Sequence, residues 1–174
     1  MQRRSSKRYT KPTPSATWQP GTGRLLAPGP VLAVSQGDAA SKTRPTPLRL
    51  VADSLEGDTI SRRFLLKGEV RVADPAQQQS FRGRELSVAW SQRRAVSDQP
   101  FRAQRGPLQI EGSRLQVEGE SQRLIVEGSC RLTRPGEQLQ AGRCIWNWQT
   151  GQLDASGGTA GRVLSRFRVP QPRR

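Results

Sequence analysis

The chain of 174 residues has no histidine. That absence removes the commonest general base and the commonest metal ligand together. Cysteine occurs twice, at Cys130 and Cys144, too few for a zinc site with no imidazole to complete it. The serines lack a histidine partner, the carboxylates are scattered, and neither a P-loop nor a dinucleotide fingerprint is present. The expectation is a protein that is not an enzyme and uses no metal and no cofactor. Hydrophobic residues make up only 33% of the chain and aromatics 5%, so part of it is expected to lie outside any packed core.

Charge of one sign is scarce where charge of the other gathers. The net charge is +15. Residues 1–47 hold eight Lys/Arg against Asp38 alone, and residues 162–174 hold five Arg and no acid. Residues 48–161 hold sixteen basic and thirteen acidic residues, close to balance. The basicity sits at the ends, as solvated tails or as an attraction to an anionic partner such as lipid headgroups or nucleic acid.

Residues 1–47 read as a basic, Pro-rich, disordered tail, because seven prolines interrupt them. Leu25 to Val34 is an apolar run after a basic segment, in the manner of a degraded secretory signal. Pro28, Gly29 and Pro30 spoil its helical core, and it is too short to span a bilayer.

From Leu48 the pattern changes. Phe64, Leu66, Val70 and Val72 alternate with polar neighbours; so do Leu86, Val88 and Trp90, then Leu115 and Val117, then Leu124, Val126, Cys130 and Leu132. Period two marks half-buried strands, and polar turns separate them. No window between 48 and 160 makes a convincing amphipathic helix. Over the same span a ladder of glycines repeats, each preceded two positions earlier by an apolar residue. Its rungs are Leu66-Lys67-Gly68, Phe81-Arg82-Gly83, Ile110-Glu111-Gly112, Val126-Glu127-Gly128 and Ala155-Ser156-Gly157. Gly142 falls in phase, and Val96-Ser97-Asp98 stands where a rung is missing. Glycine at one phase of every repeat implies strands that bend at the same place. The expected fold is all-β: one antiparallel sheet, folded over along a crease into an open jellyroll across residues 48–160, with a second basic tail at 161–174.

The inward residues of that fold are Phe64, Leu66, Val70, Phe81, Leu86, Val88, Trp90, Phe101, Leu108, Ile110, Leu115, Val117, Leu124 and Val126. They make an aliphatic lining with few aromatics and no convergent charge. Periodicity alone does not separate a self-filled core from a groove for acyl chains. Cys130 and Cys144 flank the turn at Arg134-Pro135-Gly136. A hairpin centred near Glu137 would set them opposite each other, so a cross-strand disulfide and a pair of buried thiols are both open. Trp146 and Trp148 fall on one face of a strand, to pack on the core, cap the groove or mark an interface.

Three segments carry a resemblance. Ala95 to Phe101, with its Ser97-Asp98-Gln99-Pro100 turn, is followed by Gly106 to Val117 and by Leu124 to Gly128. In this order and spacing they resemble the OstA-like lipopolysaccharide-transport family, LptA and LptC. Phe64 to Val72 and Gln152 to Gly158 resemble further units of it. The resemblance implies a periplasmic β-jellyroll whose interior carries acyl chains of lipopolysaccharide or another acylated lipid. It also implies sheet edges that join other Lpt-type modules, by strand addition. The alternative from charge is a small β-domain that binds nucleic acid through its basic arms. The balanced body, without a stacked-aromatic surface, argues against it.

Overall fold

The computed structural model describes residues 16–34, 48–157 and 162–167. Among them, thirteen strands form one antiparallel sheet. They are β1 (Thr17–Gln19), β2 (Arg24–Val34), β3 (Arg49–Asp58), β4 (Arg63–Asp74), β5 (Gln79–Ala89), β6 (Arg94–Ser97), β7 (Phe101–Arg105), β8 (Leu108–Gly112), β9 (Arg114–Glu118), β10 (Arg123–Arg134), β11 (Glu137–Asn147), β12 (Leu153–Ser156) and β13 (Leu164–Phe167). The only helical pieces among the described residues are single 3-10 turns at Pro75–Gln77 and Trp90–Gln92.

The register resolves this sheet into two layers joined along a line. In one layer, β5 continues through β6 and β9 to β10. In the other, it continues through β7 and β8 to β10. Strands β2, β3, β4, β5, β10 and β11 run through both layers. Their ladders slip on the line, at Pro28/Val31, Val51/Ser54, Lys67/Val70 and Glu127/Cys130. Between β6 and β7 the chain crosses at Asp98-Gln99-Pro100, and between β8 and β9 at Ser113. The crease expected from the glycine ladder is this line.

Particular backbone groups make the crease. Gly68 has φ +89°, and a Cβ there would collide with the Asp53 carboxylate. That carboxylate accepts the Glu69 N–H at 2.8 Å, replacing a ladder bond lost at the slip. Gly112 meets a different demand: a Cβ would drive into Val126 and stand 3.1 Å from the Phe101 ring. The Ser113 N–H reaches the Gly128 carbonyl at 2.8 Å, which stitches the β8–β9 break to β10. At the missing rung, Ser97 is the one buried polar residue among those described; its hydroxyl donates to the Gln99 carbonyl at 3.3 Å. A polar turn thus bends the chain where the other strands use glycine.

The sheet begins earlier and ends later than the sequence pattern indicated. Residues 1–47 were expected to lack regular structure, yet β1 and β2 lie within them. Pro28 and Pro30 fall at the β2 register shift, on the part of β2 that only β3 flanks. A proline is tolerated there because its missing N–H faces no partner strand. The apolar run at 25–34 is therefore sheet. Likewise β13 lies within 161–174 and pairs with β11. The remainder of both tails lies outside the described residues.

Glycine at the crease is a steric requirement. Gly68→Ala should lower stability by about 1–3 kcal/mol, from the left-handed backbone and the Asp53 clash together. Gly21→Ala, where a Cβ meets nothing within 4 Å, should stay within about 0.5 kcal/mol. Urea unfolding midpoints at constant slope measure both.

Candidate functional site

The inner faces of the two layers form a trough, closed at the crease and open at the opposite seam. Burial follows that geometry strand by strand. Leu66, Val70, Leu86, Ile110, Leu115 and Val126, nearest the crease, are buried. Two residues further along the same half-strands, Val72, Val88, Leu108, Val117 and Leu124 are only half-buried. A solid floor thus grades into open walls.

Of the expected lining, Leu66, Val70, Phe81, Leu86, Phe101, Ile110, Leu115 and Val126 form the buried floor. Phe81 and Phe101 stack across β5 and β7 with centroids 6.1 Å apart. Val88, Leu108, Val117 and Leu124 pack against that floor from the walls. Phe64, on β4, is half-buried opposite Val88 and on the same face, and its ring would collide with any side chain at Gly57 of β3. One residue departs from the expectation. Trp90 is 61% exposed. It lies just past the end of β5 in a 3-10 turn, where strand alternation no longer sets its direction, and its N–H is fixed by the Arg62 carbonyl.

The walls enclose space. A cavity of about 270 Å³ lies between the layers, with Phe81, Leu86, Ile110, Leu115, Val117 and Leu124 on its surface. Leu48, Val72, Ala95, Ala103, Arg105, Trp146 and Trp148, which the lining pattern omitted, complete it together with Asp74 and neighbouring polar groups. A second space of about 210 Å³ continues beyond Trp146, lined by Leu108, Leu132, Leu139 and Leu153. Core and groove are therefore both present on one face.

Cys130 and Cys144 are joined by a disulfide on the floor, with Cα atoms 6.1 Å apart. They do not face each other directly. The β10–β11 hairpin turns on Pro135-Gly136, so Arg134 pairs with Glu137, and the slip at Glu127/Cys130 sets Cys130 beside Ala141 and Cys144 beside Val126. The bridge crosses the crease diagonally. Among the described residues, no group of three or more His, Cys, Asp or Glu could hold a metal.

Charge is kept to the outside and the lips. Glu111 bridges Arg102 and Arg131 across β7, β8 and β10, and Glu127 bridges Arg114 and Arg143 across β9, β10 and β11. Asp98, at the crease, holds Arg114 at 2.5 Å. Such exposed cross-strand pairs set register more than they add stability. On one lip, the Ser61 and Ile60 N–H groups hold the Asp58 carboxyl below its ordinary pKa. On the same lip, hydrogen bonds from Ser121 and Gln116 do so for Glu118. Both turns therefore lose their contribution as pH falls through those lowered values.

A creased, single-sheet trough with one open seam defines an open β-jellyroll. Among solved structures of this class is LptH, the LptA-homologous periplasmic component of the lipopolysaccharide transport device of Pseudomonas aeruginosa. It matches with a TM-score of 0.60 and 18% identity, over 76% of this chain and 100% of that one. The chain has the LptA-like fold. No family model and no curated protein matches the sequence.

The disulfide closes a loop of sequence separation 14. Its removal, by reduction or by Cys130→Ala with Cys144→Ala, should lower stability by about 3 kcal/mol. Urea unfolding with and without reductant measures the loss, and the double variant should be insensitive to reductant.

Proposed function

We propose that this protein binds the acyl chains of lipopolysaccharide, or of a similarly acylated lipid, in the trough between its two layers. It passes them along a periplasmic bridge of like modules, without catalysis. The observation that carries the reading is the cavity between half-buried apolar walls beneath a buried floor. Each methylene moved from water to such a wall contributes roughly 0.8 kcal/mol. The likeness of fold to LptH supports it. So does the outward pairing of Arg102, Arg114, Arg131 and Arg143 with carboxylates, which offsets part of the basic charge of that face. Among the described residues no helix is long and apolar enough to cross a membrane.

The sheet edges support the bridge. Large exposed apolar side chains gather there: Trp18 on β1 and Leu32 on β2 at one edge, Leu153 on β12 and Leu164 on β13 at the other. An open edge with apolar side chains is a template for strand addition. In this reading the two ends of the sheet join copy to copy, or join another module of the same fold, and the troughs align.

A photoreactive residue placed at Ala103, Val117 or Leu124 should crosslink to lipopolysaccharide, while one at Arg102 or Arg131 on the outer face should not. Equal labelling inside and out, or none inside, would sink the lipid reading. Sedimentation tests the edges separately. The chain should self-associate with concentration, and Leu32→Arg or Leu164→Arg should raise the midpoint about tenfold, equivalent to about 1.4 kcal/mol.

A further inference from the structure

Arg105 differs from the arginines of the outer face. It ends β7 on one lip of the seam, with Gln79 and Leu108 as its strand neighbours. Trp146 and Trp148 belong to the other lip: Trp146 lies between Leu124 and Leu153, and the Trp148 backbone N–H is held by the Gln122 carbonyl. The Arg105 guanidinium nevertheless lies 5.6 Å from the centroid of each indole. The contact spans the trough over the cavity that all three residues line.

No salt bridge to a carboxylate joins this guanidinium among the described residues; exposed arginines such as Arg82 share that lack, but Arg105 stands on the cavity wall against two indoles, away from open solvent. Asp74, the carboxylate on the same cavity wall, accepts the Gln77 N–H at 3.2 Å. Two indole faces offset part of the cost of half-burying a cation, but an oxyanion would satisfy it far better, through charge-assisted and bidentate hydrogen bonds. At about 270 Å³ the cavity falls just below the usual range of ligand sites, about 300–1,000 Å³. A lipid with several chains requires the lips to part, and the Arg105 contact with Trp146 and Trp148 is one that joins them over the cavity.

We propose that Arg105 is the headgroup seat of the trough. It takes the phosphate or other oxyanion of an acylated lipid, and in doing so leaves Trp146 and Trp148 and releases the seam. The proposal rests on the lipid-binding reading above, and adds to it the residue that selects anionic over neutral lipids. The released state is favoured only by a ligand that binds it better, which an anion does and a neutral headgroup does not.

The test uses the full chain carrying Trp18→Phe and Trp90→Phe, both exposed positions, so that fluorescence reports Trp146 and Trp148. It is titrated below micellar concentration with dodecyl phosphate and dodecyl maltoside, and separately with inorganic phosphate. Dodecyl phosphate should bind about tenfold tighter than the maltoside or better, about 1.4 kcal/mol. Arg105→Gln should bring that ratio near one while maltoside affinity holds, which also shows the variant folded. Arg105→Lys should keep most of the preference. A preference that survives Arg105→Gln overturns the proposal. Equal affinity for both amphiphiles in the parent overturns it and leaves the apolar trough standing. Binding of neither overturns the trough reading as well. Saturation by inorganic phosphate at the same concentrations makes this a free-anion site and overturns the lipid assignment.

Discussion

The structure depends on one interruption of hydrogen bonding, repeated at the same height on the strands that run through both layers. A long antiparallel sheet with one apolar face must cover that face. This chain has no helix layer among its described residues to do so, and folds the sheet onto itself instead. Folding requires the ladder to fail along a line. It fails by bulges in four strand pairs and by outright breaks at Asp98-Gln99-Pro100 and Ser113. Each failure leaves backbone groups to be satisfied. The Asp53 carboxylate and the Gly128 carbonyl answer for two of them. The crease is thus a built feature with its own partners, and stability and shape are set at the same residues.

From the crease follows the division of labour across the trough. Next to the line the layers are close enough for side chains to fill the gap, and Val70 and Val126 are wholly buried. Away from it the layers diverge while side-chain length stays the same. Leucine and valine then fail to meet, and space opens beneath Trp146. The disulfide lies on the floor and ties the two sides of the β10 slip. It braces the hinge while leaving the seam without a covalent tie.

Period-two alternation and the glycine ladder were enough to indicate an all-β folded sheet, because both are local consequences of strand geometry. Even the missing rung was legible: β6 stops at Ser97, and a polar turn does the work of a glycine. Four features were not legible, for separate reasons. Prolines in β2 suggested a tail, since sequence does not say which strand has a free edge. Trp90 kept the inward parity of β5, but its strand had ended one residue earlier. The cysteines looked symmetric about Glu137, while the hairpin turned on Pro135-Gly136. Arg105 gave no signal because its meeting with Trp146 and Trp148 joins lips about forty residues apart in sequence.

Whether such a face is core or conduit is decided by its margins, since the chemistry of the lining serves either. A self-sufficient core closes its seam with apolar contacts and caps its edges with charge. Here the seam is spanned by a cation on two aromatic faces, a contact worth a kilocalorie or two that an anion can outcompete. The edges carry Trp18, Leu32, Leu153 and Leu164 as exposed apolar side chains, while Pro28, Pro30 and the β2 slip blunt part of one edge. In the lipid-binding reading proposed above, both margins would yield to a suitable partner, the seam to an anion and the open edges to a strand of another module, while the floor at the crease stays closed.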